Sequence, residues 1–77
     1  MTEAEWLNIF SDNLIDMLNE YGYSQEELAY ETNLSQGTIS KYINKKQMPS
    51  LKAIINIAYA LDCSIDELTD FGEKIRD

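Results

Sequence analysis

The chain has 77 residues, 44% of them hydrophobic, and a net charge of −8. That length fits one domain rather than two, and a domain so small buries only about 60–65% of its unfolded surface, so its core has to be economical. No apolar run approaches the ~20 residues of a bilayer span, the opening MTEAEW lacks the basic and apolar parts of a secretory signal, and Cys63 stands alone, which excludes an internal disulfide and gives a cytoplasmic protein as the expectation.

Five helices are predicted from caps and helical periodicity, each behind a Ser or Thr whose oxygen can accept a bond from an orphan N–H. The first runs from Glu3 to Tyr21, with Leu7, Phe10, Leu14, Met17, Leu18 and Tyr21 on one face and Gly22 to stop it. The second covers Gln25 to Thr32, with Leu28 and Ala29 inward, and the third covers Gln36 to Asn44. The fourth runs from Leu51 to Leu61, with a wide apolar stripe of Ile54, Ile55, Ile57, Ala58 and Leu61. A short fifth begins at Ile65 and ends near Phe71-Gly72. Thr2 with Glu5, Ser24 with Glu27, and Ser64 with Glu67 have capping-box spacing, while Ser35 and Ser50 are caps without the acidic partner. Tyr23 with Leu28, Leu34 with Ile39, and Cys63 with Leu68 have the spacing of hydrophobic staples. No alternating pattern of strand length and no repeat is present.

The net charge is wrong in sign for a polyanion partner, but its distribution is not uniform. Residues 1–33 hold eight acids and no base, whereas residues 34–61 hold Lys41, Lys45, Lys46 and Lys52 and no acid. Residues 62–77 hold six acids against Lys74 and Arg76. An acid-free segment on an acidic body is the pattern of a polyanion-facing surface.

That segment overlaps SQEELAYETNLSQGTISKYINKK, residues 24–46, which reads as two short helices joined by a tight turn. Asn33 suits a left-handed turn position, Ala29 is small where two helices cross, and Ile39 can lock the second helix onto the first, which is the logic of a helix-turn-helix. On the third helix Ile39, Tyr42 and Ile43 share one side, and Gln36, Gly37, Ser40, Lys41 and Asn44 share the other. An outer face with no acid suits a helix flanked by phosphates, where Gln can pair with adenine and Lys can donate to guanine. Gly37 removes bulk at the end that approaches the groove, at about 1 kcal/mol of helix propensity.

With these residues in order, the chain resembles the phage-repressor and Cro type of helix-turn-helix regulator, the XRE family. The matching residues are Ser24-Gln25-Glu26-Glu27-Leu28-Ala29, Leu34-Ser35-Gln36, Thr38-Ile39-Ser40-Lys41-Tyr42, Asn44, Lys46, Pro49-Ser50-Leu51, Ile57-Ala58, Ala60-Leu61 and Ser64-Ile65-Asp66-Glu67-Leu68. They span about residues 10–71. The resemblance implies an all-α, five-helix, lambda-repressor-like DNA-binding domain. It implies base contacts from Gln36, Gly37, Ser40 and Lys41, and phosphate contacts from Gln25, Thr38, Asn44, Lys45 and Lys46. It also implies a homodimer on a palindromic double-stranded operator. Three positions depart from the family pattern. Leu18 replaces a basic residue at the end of the first helix, Ile43 replaces an often acidic one, and Lys45 replaces the glycine after the recognition helix. Either Asn44 or Lys45 then has to supply the left-handed cap.

The remaining residues read as structure. Trp6, Phe10, Tyr21, Tyr23, Tyr30, Tyr42 and Tyr59 are expected in core or half-buried packing, Cys63 as a small apolar plug, and Lys52 in solvent. No His, metal-ligand cluster, phosphate loop or nucleophile–base pair appears, so neither an enzyme nor a metal or cofactor site is expected. The fifth helix and tail, with Phe71 and Ile75, are the expected dimer surface. A second reading stays open: a protein-interaction module, such as an antitoxin or anti-repressor, whose acidic body docks a basic partner.

Overall fold

The computed structural model describes residues 1–70; Phe71 and Ile75 of the expected dimer surface lie outside the described residues. Within them the chain is all-helical, in the order α1 (Glu3–Tyr21), α2 (Gln25–Thr32), α3 (Gln36–Ile43), α4 (Leu51–Ala60) and α5 (Ile65–Thr69). The N-caps are those read from the sequence. Thr2, Ser24, Ser35, Ser50 and Ser64 accept from the N–H of Glu5, Glu27, Thr38, Ala53 and Glu67, and the three capping boxes all form.

The C-termini of α1 to α4 follow one rule. The N–H of Tyr23, Leu34, Lys46 and Cys63 reaches back to the carbonyl of Leu18, Ala29, Lys41 and Ala58, respectively. Each of these bonds follows a residue in the left-handed region: Gly22, Asn33, Lys45 and Asp62. Three connections therefore close on the same three-residue motif: a left-handed residue, an apolar residue and a capping serine. They are Gly22-Tyr23-Ser24, Asn33-Leu34-Ser35 and Asp62-Cys63-Ser64. The apolar residue in the middle packs on the core in each case and so fixes the exit of one helix and the entry of the next.

α1 packs against α3 and α5, α2 against α3 and α4, and α4 against α5. The core beneath them is Phe10, Leu14, Met17, Leu18, Leu28, Ala29, Ile39, Tyr42, Ala53, Ile57, Ala58, Leu61 and Leu68. Three consecutive residues of α1 reach different neighbours, because successive side chains on a helix point about 100° apart. Ser11 Oγ donates to the Tyr42 carbonyl at the end of α3 (2.6 Å), Asp12 takes the Lys45 ammonium (3.0 Å), and Asn13 Nδ2 donates to the Leu68 carbonyl in α5 (2.8 Å).

Several expectations are corrected. α3 ends at Ile43 and α4 at Ala60, each one residue early, with Asn44 and Leu61 as caps. α5 ends at Thr69 rather than near Phe71-Gly72, because Asp70 turns left-handed at φ 54°. Tyr21, Tyr30 and Tyr59 are exposed rather than packed, Tyr30 and Tyr59 at 87% and 89%, and Ile55 lies outside the core stripe of α4. The buried faces of these helices are occupied by Phe10, Leu14, Met17 and Leu18 on α1, Leu28 and Ala29 on α2, and Ala53, Ile57 and Ala58 on α4, and the tyrosines take the outer positions.

Asn33 holds φ 59° between α2 and α3. Replacing it with Ala is expected to lower the unfolding free energy by about 1 kcal/mol, and Gly is expected to be tolerated, as read from urea denaturation followed by circular dichroism.

Candidate nucleic-acid interface

The two short helices of the central segment are built around α3. Ile39 is fully buried and Tyr42 nearly so, with the Tyr42 ring edge-on to Phe10 at 6.0 Å and 79°. Ile43 is half-buried beside them. This inner face fixes the roll of the helix about its axis. The opposite side then has to face outward, and Gln36, Gly37, Lys41 and Asn44 are all exposed, with Ser40 half-exposed. The side chains of Gln36 and Lys41 have no hydrogen-bond or ionic partner among the described residues, so their amide and ammonium groups are available to an outside acceptor.

The candidate residues differ in how free they are. Asn44 Nδ2 donates to the Ser40 carbonyl (2.9 Å) and to the Ser40 hydroxyl (3.1 Å), which commits its donors locally. The Ser40 hydroxyl accepts there and keeps its own proton to donate. Thr38 is half-buried, and its hydroxyl lies 2.8 Å from that of Ser35. Lys46 is exposed without an ionic partner among the described residues, whereas Lys45 is held by Asp12. Gln25, half-buried at the first turn of α2, lines a groove of about 350 Å³ with Ile15, Leu18, Asn19 and Ile43, so the start of α2 and the end of α3 share one concavity. Leu18 lies within the core at this edge, so the position that departs from the family pattern contributes packing there.

Between the two residues able to supply the cap after α3, the chain uses Lys45, at φ 60°, while Asn44 stays near the helical region at φ −88° and ψ 9°. The strain of a side chain there, about 1–2 kcal/mol, is offset by the N–H bonds of Lys45 to Tyr42 and of Lys46 to Lys41, at 3.2 and 2.8 Å. Two further contributors carry no local signature in the chain. Ser11 and Asp12 on α1 both grip the end of α3, although nothing in their local pattern distinguishes them from other polar helix residues.

Away from this face the chemistry is quiet. Burial pushes the Cys63 thiol above its ordinary pKa, with the nearby Glu67 and Asp62 charges adding to the effect, so it stays protonated and weakly nucleophilic at neutral pH. No group of three or more His, Cys, Asp or Glu among the described residues is placed to hold a metal ion, and no described helix is long and apolar enough to cross a membrane.

A helix-turn-helix whose second helix is braced from behind and carries acid-free polar groups outward defines a DNA-binding class. The helix-turn-helix family model matches residues 14–68, and the chain belongs to that family, of the phage-repressor and Cro type. Among solved structures it is similar to the restriction-modification controller protein C.AhdI from Aeromonas hydrophila, with 31% identity and a TM-score of 0.77 over 80% of this chain and 94% of that one. No curated protein sequence matches it.

Gly37 has a negative φ, and a Cβ built there would meet nothing closer than Ser35 Oγ at 3.8 Å. The fold itself has room for a side chain, so Gly37→Ala is expected to raise the unfolding free energy by about 0.5–1 kcal/mol in a denaturant titration.

Proposed function

We propose that the protein is a sequence-specific regulator of transcription that binds double-stranded DNA as a homodimer and acts as a repressor. The observation that carries this reading is the outer face of α3, where Gln36 and Lys41 project unpartnered beside Gly37 and Ser40 on a segment without acids. In the major groove these four residues meet base edges, with Gln and Lys able to discriminate adenine and guanine. Gln25, Thr38 and Lys46 contact phosphates and set the register of the helix; Asn44 and Lys45 join them once their contacts to Ser40 and Asp12 are released. The likeness to a restriction-modification controller protein supports a regulatory rather than a catalytic role. Repression follows from occupancy, since a dimer seated on an operator excludes other proteins from the same groove.

The dimer surface we assign is the outer side of α4. Leu51, Ile55 and Tyr59, four residues apart in turn, are 69%, 46% and 89% exposed and form one line along the helix. Leu51 also lines an apolar groove of about 500 Å³ with Trp6, Met48, Ile54 and Ile65. α4 carries no acid, so two copies of an acidic chain can meet there without direct carboxylate repulsion. The proposed surface is thus α4, bordered by Ile65 of α5, in place of the fifth helix and tail expected from the sequence. A two-fold pair built on it would present two α3 helices to half-sites about 34 Å apart.

Selection of bound duplexes from a random pool tests the reading. The expected result is a palindromic consensus, an affinity that falls with salt at a log–log slope of about −0.9 per neutralised phosphate, and loss of sequence preference in the double variant Gln36→Ala, Lys41→Ala with the melting midpoint retained. Binding that is weak and blind to sequence would instead favour the interaction-module reading, in which the acidic body meets a basic protein. Ile55→Lys is expected to turn the dimer into a monomer in sedimentation experiments and to reduce operator affinity by at least tenfold. A variant that remained dimeric would remove α4 from the interface.

A further inference from the structure

Among the described residues, Asp12 and Lys45 form the only ion pair, and Lys45 is the only lysine of the acid-free segment with an acidic partner. Two features set this pair apart from an incidental surface contact. Lys45 stands in the left-handed region, where a glycine is unstrained, so the chain keeps a cationic side chain where its backbone would do better without one. The acid comes from α1, thirty-three residues earlier, and sits next to Ser11, which holds the Tyr42 carbonyl. One turn of α1 therefore both seats the recognition helix and delivers a carboxylate to its trailing edge. The lysine side chain is 36% exposed and the aspartate 67%, so neither is locked away and the pair can open.

We propose that Asp12 is a charge brake on DNA binding. It occupies the Lys45 ammonium and sets the affinity of the interface below what Lys41, Lys45 and Lys46 would give without it. The partner concerned is the duplex phosphate backbone, and the proposal rests on the DNA-binding reading above. A phosphate near Lys45 has to compete with a carboxylate already 3.0 Å from its ammonium. The competition is local, because at physiological salt charges are screened beyond roughly 8 Å. It is also blind to sequence, because phosphates are. Asp12 thus lowers specific and non-specific binding together, while Gln36 and Lys41 keep their discrimination.

The test is a double-mutant cycle of Asp12→Asn and Lys45→Met, measured on the duplex selected by the wild-type protein and on a duplex of random sequence, over a range of salt. One additional neutralised phosphate corresponds to about a fivefold gain in affinity near 0.15 M salt and a log–log slope steeper by about 0.9. Asp12→Asn is expected to give both changes on both duplexes, and to give neither when Lys45 is Met. Unchanged or weaker binding by Asp12→Asn would overturn the brake. An equal gain in the Lys45→Met background would overturn it too, since Asp12 would then act only by repelling phosphate. Should Asp12→Asn fail to fold, Lys45→Met against Lys46→Met decides. The first is expected to lose clearly less affinity than the second, and equal losses defeat the proposal. If the wild-type protein binds neither duplex, the DNA-binding reading itself fails and the brake falls with it. If it binds and the cycle shows no coupling, only the brake is lost.

Discussion

Burial of Ile39 and Tyr42 under α3 is the constraint on which the interface depends. A helix eight residues long is too short to hold its own orientation in water, so its roll and tilt have to come from what it packs on. Ile39 supplies the central contact, Tyr42 adds an edge-on aromatic contact with Phe10, and Ser11 fastens the Tyr42 carbonyl from α1. The Ser11 bond is short and buried, in surroundings where an unmade hydrogen bond costs about 1–3 kcal/mol, so the end of α3 has one good position rather than several. The exposed groups on the other side inherit that precision. The outward aim of Gln36 and Lys41 is set by what lies behind them.

The connections enforce the same order at a larger scale. Each left-handed cap followed by an apolar residue and a serine satisfies the trailing carbonyls of one helix and the leading N–H groups of the next within three residues. Such a joint leaves little slack, so a small chain builds a helical assembly without long loops or a large core. After α3 the rule changes. Lys45 takes the left-handed position, but no capping serine follows at once, and the chain runs on through Lys46, Gln47, Met48 and Pro49 before Ser50 starts α4. The one connection that departs from the tight form is also the one that carries two lysines.

Electrostatics explains why the acidity of the molecule and a polyanionic partner are compatible. Among the described helices the acids are on α1, α2 and α5, and α3 and α4 have none. Because salt screens exposed charges over about a Debye length, a phosphate brought to α3 would sense Lys41 and the following Lys45 and Lys46 more than the net charge of the body. The exceptions are the acids brought close in space, and among the described residues Asp12 is the one that reaches a lysine of this segment. An acidic remainder also disfavours sequence-blind adhesion to nucleic acid, since only one oriented face is attractive.

The sequence by itself determined the helices and their starts, because capping and helical periodicity are local: Thr2, Ser24, Ser35, Ser50 and Ser64 each act within a few residues of where they stand. It also determined which side of α3 faces outward, since Ile39 and Tyr42 could only be an inner face, and it singled out Asn33 as the turn residue. Tertiary structure decided what depends on distance through space. The left-handed cap after α3 fell to Lys45 rather than Asn44, and the end of α3 is gripped from α1 by Ser11 and Asp12, residues more than thirty positions away in the chain. The exposure of Tyr30, Ile55 and Tyr59 likewise depended on how much apolar surface the neighbouring helices could cover, and a periodic pattern carries no measure of that supply. Local chemistry fixes each helix and its ends, whereas pairing between helices is settled only when the whole core competes for the same buried space.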